Sequence, residues 1–311
     1  MRKMKNIKDK LIFLKSKIKF LGLSISIKYR NPELKSVCDD VNTIMEFKPD
    51  YVVKLQGGLG NQMFQYAFSK ALKGKVLFDL SEFNVYRLRQ YALDKFNLNI
   101  KTVKNHIMQK FLLNHGVLEP KNSIYDEQIL KLEPPVYYSG YFQSIKYIQN
   151  YREELMKEFV PNVKYTKEYK KVEDEITNSN SVLLNFRVAK DYKNLGWSLC
   201  YNYQKEAIDY IAKNVKNPIF YVFADDIDEV KKTFETNYEL RFVDIEKNNP
   251  DKMYLDLELM KKCKHAILSN SSFAFWAGWL NNNPDAIIIV PDPWLKTAPE
   301  IAPDNWHKIK V

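Results

Sequence analysis

Cysteine and histidine are scarce in this chain. It has three cysteines, Cys38, Cys200 and Cys263, and four histidines. Neither set has the spacing of zinc ligands, and a sparse, odd cysteine count is typical of a reducing compartment. The sequence therefore excludes a disulfide framework and a zinc domain.

Long uninterrupted apolar runs are also missing. The longest candidate, residues 11–27, is broken by Lys15, Lys17 and Lys19, so it makes a poor transmembrane helix or signal peptide. We therefore expect a cytoplasmic protein. Two interpretations stay open for this stretch: a basic segment that lies on the anionic inner face of the cytoplasmic membrane, or a solvated tail.

Positive charge is concentrated at the start of the chain. Residues 1–35 contain eleven Lys or Arg but two acidic residues, so most of the net charge of +10 lies there. A nucleic-acid-binding protein would spread such charge over its folded surface, and we therefore expect no nucleic-acid partner. Residues 1–46 are interpreted as a basic leader, whose residues 1–35 would contact an anionic membrane surface.

The rest of the chain alternates apolar strands with helices. Residues 51–55 and 75–80 are predicted strands around a helix near 62–72, and the alternation is regular from residue 181 onward. This pattern predicts an α/β fold with parallel sheets covered on both faces. Two such regions predict two domains, 47–165 and 166–311, with ligands in a cleft at the carboxyl ends of the strands. Residues 84–135 show mixed periodicity and no clear strand.

A glycine-rich turn follows the first predicted strand. Residues 57–65 read Gly-Gly-Leu-Gly-Asn-Gln-Met-Phe-Gln. Glycines allow a ligand to approach the backbone, and a helix N-terminus favours anions. The third glycine of the dinucleotide fingerprint is missing, as is the Gly-Lys-Ser/Thr of a phosphate loop. On the glycines alone, a tight strand-to-helix turn is the simpler interpretation.

Polar residues also end three later strands. Asn185 and Arg187 point to one face at the first of these ends, where an arginine can bind a diphosphate through two parallel bonds. Asp226 and Asp228 have the spacing of a metal site, although Asp226 is equally suited to capping the next helix. Residues 269–272, Ser-Asn-Ser-Ser, would present hydroxyl and backbone N–H groups at a helix start.

Several of these motifs resemble glycosyltransferase family 11, the α-1,2-fucosyltransferase family. Residues 57–67 resemble its opening motif, residues 269–276 its Ser-Asn-Ser-(Ser/Thr)-Phe-Ser-Trp-Trp segment, and residues 140–144 its Gly-Tyr-x-Gln-Ser segment. The chain departs from the family's His-x-Arg-Arg-x-Asp motif, because Asn185 replaces the histidine and Val188 the second arginine. Lys190 is a candidate substitute for that arginine.

The resemblance implies a GT-B-like fold, with two Rossmann-like domains facing a cleft. It also implies transfer of L-fucose from GDP-fucose to the 2-hydroxyl of a galactoside in a surface glycan, by inversion and without a metal or cofactor. The partners would be the nucleotide-sugar donor and a glycan acceptor, with a lipid-linked acceptor left open. Three alternatives remain: another GDP-deoxyhexose such as colitose, a metal-dependent transferase, and a non-catalytic sugar-binding relic.

The resemblance assigns roles to individual residues. Asn61, Arg187 and Asp191 are the expected catalytic residues, with Asp191 as the candidate general base. Asp225 would read the guanine base by accepting from N1–H and the 2-amino group. The expected donor-binding residues are Gly58, Gly60, Asn185, Lys190, Asp225, Asp226, Ser269, Asn270, Ser271, Ser272 and Phe273.

Overall fold

The structure, a computed structural model, describes residues 32–86, 88–105, 117–118, 124–296, 298–299 and 301–311. Most of the predicted leader, including the stretch with the membrane interpretation, lies outside these residues. Among the described residues, no helix combines the length and the apolar character needed to cross a bilayer.

The first half of the chain forms a five-stranded parallel sheet with the strand order β3-β2-β1-β5-β4. Val53 and Phe78, which are fully or almost fully buried, belong to the large core on one face of this sheet. Residues 101–103 and 117–118 pair into the sheet, although the sequence indicated no strand there. The strands are Tyr51–Lys54 (β1), Val76–Asp79 (β2), Lys101–Val103 (β3), Val117–Leu118 (β4) and Val136–Tyr138 (β5).

Helix α1 (Pro32–Phe47) covers the other face of this sheet. Its Val41 and Ile44 pack against Val52 and Leu77, because alternate side chains of a strand point to opposite faces. The predicted leader ran to residue 46, and the structure corrects that boundary: residues from 32 onward belong to the fold, because they bury an apolar helix face.

The second half forms a six-stranded parallel sheet with the strand order β11-β10-β9-β6-β7-β8. Alternate side chains of a strand again point to opposite faces of the sheet. Leu183 therefore belongs to one core cluster, and Val182 and Leu184 belong to another. The strands are Ser181–Phe186 (β6), Ile219–Ala224 (β7), Leu240–Phe242 (β8), His265–Ile267 (β9), Ile288–Asp292 (β10) and His307–Lys310 (β11).

Helices cover both sheets and connect them. Residues 145–158 form two short helices separated by a 3-10 turn at Gln149–Tyr151. The helices after α1 are Leu59–Ser69 (α2), Ile145–Ile148 (α3), Arg152–Glu158 (α4), Lys167–Thr177 (α5), Lys190–Asn194 (α6), Tyr201–Asn214 (α7), Ile227–Thr233 (α8), Lys252–Lys262 (α9) and Ser272–Trp279 (α10).

One hydrophobic core runs from the first sheet to the second. Its centre is the contact between α2 and α10, where the ring of Phe64 lies 4.7 Å from that of Phe275 and 4.9 Å from that of Trp276. The indole N–H of Trp276 donates to the carbonyl oxygen of Gly60 at 2.9 Å. Two Rossmann-like parallel sheets thus bring their strand ends together, and the predicted GT-B-like fold is confirmed.

Candidate active site

The turn between β1 and α2 depends on glycine for two different steric reasons. Gly57 has a φ of 77°, which L residues rarely adopt. A Cβ on Gly60 would lie 2.5 Å from the carbonyl carbon of Ser272, so this glycine permits the approach of α10. Gly60 was expected to bind the donor, but it is buried against the second half of the chain. Gly58 has more space, since its Cβ would meet no heavy atom closer than 4.0 Å.

Asn61 joins three segments of the site. Its amide oxygen accepts from Ser272 Oγ at 2.6 Å and from Gln143 Nε2 at 2.8 Å. The family resemblance implied that Asn61 is a catalytic residue. In the structure its amide oxygen binds protein groups, so Asn61 connects the glycine turn to the N-terminus of α10 and to the loop after β5.

Two glutamines of the same motif, Gln62 and Gln65, hold the loops around Asn61. Both are fully buried on α2. The only sequence signal for a role of these residues is their spacing, three positions apart in a mostly apolar helix. Their side chains make hydrogen bonds of 2.9–3.0 Å with main-chain groups of Gln56, Gly57, Gln90, Ala92 and Gly140.

Asn185 and Ser269 bond to each other beneath the surface of the site. Ser269 Oγ donates to Asn185 Oδ1, and Asn185 Nδ2 donates to the carbonyl oxygen of Phe223 at 3.3 Å. Asn185 is 7% exposed and Ser269 is 1% exposed. Both were expected to touch the donor. Their burial and mutual bonding instead fix the end of β6 relative to the turn before α10.

The N-terminus of α10 is the accessible part of the predicted phosphate site. Ser271 is the N-cap, and its side chain accepts no capping bond from the described residues. The first N–H groups of a helix have no intrahelical partner, and the helix dipole adds partial positive charge there. Ser271, Ser272 and Phe273 are all partly exposed. This arrangement suits a phosphate or another anion.

Asn270 leaves a buried acceptor beside this helix start. Its Nδ2 donates to the carbonyl oxygen of Trp197 at 2.9 Å, which fixes the orientation of the amide. Its Oδ1 is buried and has no hydrogen-bond partner among the described residues. Such an acceptor costs about 1–3 kcal/mol. A ligand N–H or O–H that reached this oxygen would remove that cost.

Arg187 lies at the end of β6 and pairs with Asp225 at the end of β7. The guanidinium Nη1 binds Asp225 Oδ2, and the two side chains are 21% and 17% exposed. The guanidinium also lies 4.9 Å from the ring centre of Tyr192. The Tyr192 hydroxyl donates to the carbonyl oxygen of Asn270 at 2.6 Å, so Arg187 is linked to the turn before α10.

The remaining predicted residues have separate positions. Lys190 is exposed at the start of α6, and Asp191 lies in α6 with its side chain outside the described part of the structure. Asp226 Oδ1 accepts from the amide of Glu229 at 2.9 Å, so it caps α8, one of the two roles that the sequence allowed. Within the described residues, no group of three or more His, Cys, Asp or Glu side chains could hold a metal ion.

Comparison with known proteins identifies the family. The sequence profile described as Glycosyl transferase family 11 matches residues 34–307. The chain belongs to glycosyltransferase family 11. As a family 11 protein it is a glycosyltransferase, and the resemblance found in its glycine and serine motifs is confirmed.

Two named relatives and one solved structure are similar to this chain. An alpha-1,2-colitosyltransferase of Escherichia coli is 30% identical over 291 residues, covering 83% of this chain and 98% of the relative. The O-antigen biosynthesis glycosyltransferase WbnK of Escherichia coli is 28% identical, covering 81% and 98%. Among solved structures, the fucosyltransferase NodZ from Bradyrhizobium matches with a TM-score of 0.41 and 13% identity, over 73% of this chain and 90% of that one.

Proposed function

We propose that this family 11 protein transfers L-fucose from GDP-fucose to the 2-hydroxyl of a galactoside in a surface glycan, by inversion and without a metal ion. The observation that carries the donor class is the partly exposed N-terminus of α10, whose preceding turn is linked through Tyr192 to Arg187. Backbone N–H groups and a guanidinium together suit a diphosphate leaving group. Domain 47–165 would then supply the acceptor side, and domain 166–311 the nucleotide side.

The proposed mechanism rests on charge that develops during the reaction. As the bond between the sugar and GDP breaks, negative charge grows on the diphosphate and the sugar becomes oxocarbenium-like. The amides at the start of α10 and the guanidinium of Arg187 offset that charge, and one well-placed donor of this kind contributes about 10²–10³ in kcat. Asp191 is the proposed base that accepts the proton of the attacking hydroxyl. Lys190 would supply the positive charge that Val188 lacks.

Colitose is the second candidate sugar. The 30% identical relative is named as a colitosyltransferase, which is the specific observation that favours it. Colitose lacks the 3-hydroxyl that fucose carries, so the two donors share a nucleotide but differ in one hydrogen-bonding group. A comparison of kcat/KM for GDP-fucose and GDP-colitose with one galactoside acceptor separates the two.

The first test is a melting-temperature scan with GDP, UDP and their sugars. Selective stabilisation by GDP and GDP-fucose is expected, whereas a preference for UDP would contradict the proposal. Turnover that persists in EDTA would reject the metal-dependent alternative. Binding of GDP-fucose without any transfer to galactosides would favour the non-catalytic relic instead.

Arg187→Ala tests the residue on which the mechanism depends most. We expect kcat to fall by about 10²–10³, with the fold retained. Lys193→Ala is the matched control, because it removes a cation on the adjacent helix α6 that pairs with Glu229 in an exposed ion pair of 2.7 Å. If the two variants kept similar turnover, Arg187 would have no role in leaving-group stabilisation.

A further inference from the structure

Asp225 has more protein partners than a residue that reads a base can keep. Its Oδ1 accepts from the amide of Val188 at 2.8 Å, and its Oδ2 accepts from the amide of Ala189 at 3.1 Å and from Arg187 Nη1. A carboxylate offers about four lone-pair sites, and three of them are engaged here. Simultaneous acceptance from N1–H and the 2-amino group of guanine would need one more site than remains.

We propose that Asp225 is a positioning residue for Arg187 and does not read the guanine base. This inference rests on the proposed function, in which Arg187 stabilises the diphosphate. The geometry follows from the sheet: Phe186 and Ala224 are partners in the register of β6 and β7, so the residues after them emerge side by side. The carboxylate therefore reaches the guanidinium and the backbone that follows it.

The contacts hold the guanidinium from two directions. An arginine side chain loses considerable rotamer freedom when it is fixed, and a positioned guanidinium loses less on binding an anion. Asp225 binds Nη1, while the ring of Tyr192 lies 4.9 Å from the centre of the guanidinium. Because Tyr192 is hydrogen-bonded to Asn270, the position of Arg187 is set relative to the start of α10.

Asp225 also orients the segment that leads into α6. The amides of Val188 and Ala189 directly precede this helix, which begins at Lys190. A carboxylate can accept from both amides and from the guanidinium at once. An asparagine has one oxygen and one NH₂ group, so it must lose at least one of these bonds. Asp225→Asn therefore changes the bonding with almost no change in shape.

The test compares Asp225→Asn with Asp209→Asn. The control variant removes the same charge from an exposed position of α7 to which no role in the site is assigned. Calorimetric affinities are measured for GDP, for IDP, which lacks the 2-amino group, and for guanosine, which lacks the diphosphate. Steady-state kcat and KM are measured for the sugar donor in parallel.

A positioning role predicts a specific pattern. Asp225→Asn should lower kcat by about ten- to a hundred-fold, the range for a charge-assisted hydrogen bond, while Asp209→Asn stays within about two-fold. The GDP-to-IDP affinity ratio and the guanosine affinity should match the wild type in both variants. In an Arg187→Ala background, Asp225→Asn should add little further loss, because the two residues act as one unit.

Two results would contradict the inference alone, and a third would contradict the proposed function as well. Loss of the GDP-to-IDP preference in Asp225→Asn would overturn the inference, as would a loss that adds fully to that of Arg187→Ala. A wild-type protein that binds no guanine nucleotide would overturn the proposed function and the inference with it. If Asp225→Asn melts far below the wild type, Asp225→Glu carries the same comparison with the charge retained.

Discussion

Replacement of Gly60 by alanine tests the contact that assembles the site. The new Cβ would lie 2.5 Å from the carbonyl carbon of Ser272 and 2.7 Å from its oxygen. Carbon atoms in good contact are about 3.5–4.0 Å apart, so α2 and α10 would have to separate locally by about 1 Å. The obstructing atoms belong to the backbone and cannot rotate away.

The expected destabilisation is the difference between two opposing effects. Overpacking of this kind costs about 1–3 kcal/mol, and we expect the upper end because backbone meets backbone. Alanine in a helix gains up to about 1 kcal/mol over glycine. The net loss is about 2 kcal/mol, which corresponds to a melting temperature lower by about 3 °C for the unfolding entropy of a chain of 311 residues. Turnover should fall as well, because the 2.6 Å bond between Asn61 and Ser272 would be stretched.

Gly58→Ala is the matched control in the same turn. Its Cβ would find the nearest heavy atom at 4.0 Å, and its φ of −77° suits alanine. We expect a stability change of at most about 1 kcal/mol, from the weaker N-cap. Both variants are measured by thermal unfolding with and without GDP. A Gly60→Ala protein that melts with the wild type would refute the close approach of α2 to α10.

Three further predictions concern polar side chains that are buried or partly buried. Gln62→Leu should destabilise the protein by about 2–4 kcal/mol in urea unfolding, because the main-chain groups of Gly57, Gln90 and Ala92 lose their partner. Asn61→Ala should lower turnover, because Ser272 and Gln143 lose their shared acceptor and the glycine turn is no longer tied to α10; equal turnover would contradict the linking role. Burial raises the pKa of Asp256 to about 6, against the effect of Lys252. The folded state then binds this proton more tightly than the unfolded state, so stability should fall as the pH rises from about 4 to about 6. The free energy of unfolding of the wild type should drop by about 1–3 kcal/mol relative to Asp256→Asn between pH 4 and 7, and parallel curves would reject the shift.

The sequence predicted the elements that have strong apolar periodicity and missed those that do not. Strands β1 and β2 lie within one residue of their predicted bounds because each buries a clear apolar pattern. Helix α5 was missed, since its buried residues are only Tyr169 and Ile176 among charged neighbours. Strand β3 has three residues, of which one is buried, and such a segment has no recognisable period.

The sequence indicated which residues are candidates for the site, but it did not predict the hydrogen bonds between them. Asn61 and Ser272 were both named, yet they are 211 positions apart, and no local pattern encodes their bond. Asp225 was assigned to the guanine base because the family resemblance implied it, whereas its bonds to the segment after β6 depend on sheet register. No role was predicted for Gln62 and Gln65, because the sequence does not show whether a glutamine side chain is buried or exposed.

The aromatic contact between α2 and α10 limits how the protein could be recombined with its relatives. Phe64 from the first half packs between Phe275 and Trp276 from the second, and Trp276 also bonds to Gly60. A chimera joined between the two sheets would place foreign rings on one side of this contact. We expect such chimeras to fold only when residues 59–69 and residues 272–279 come from the same parent protein. The two motifs, although distant in sequence, must therefore be exchanged together.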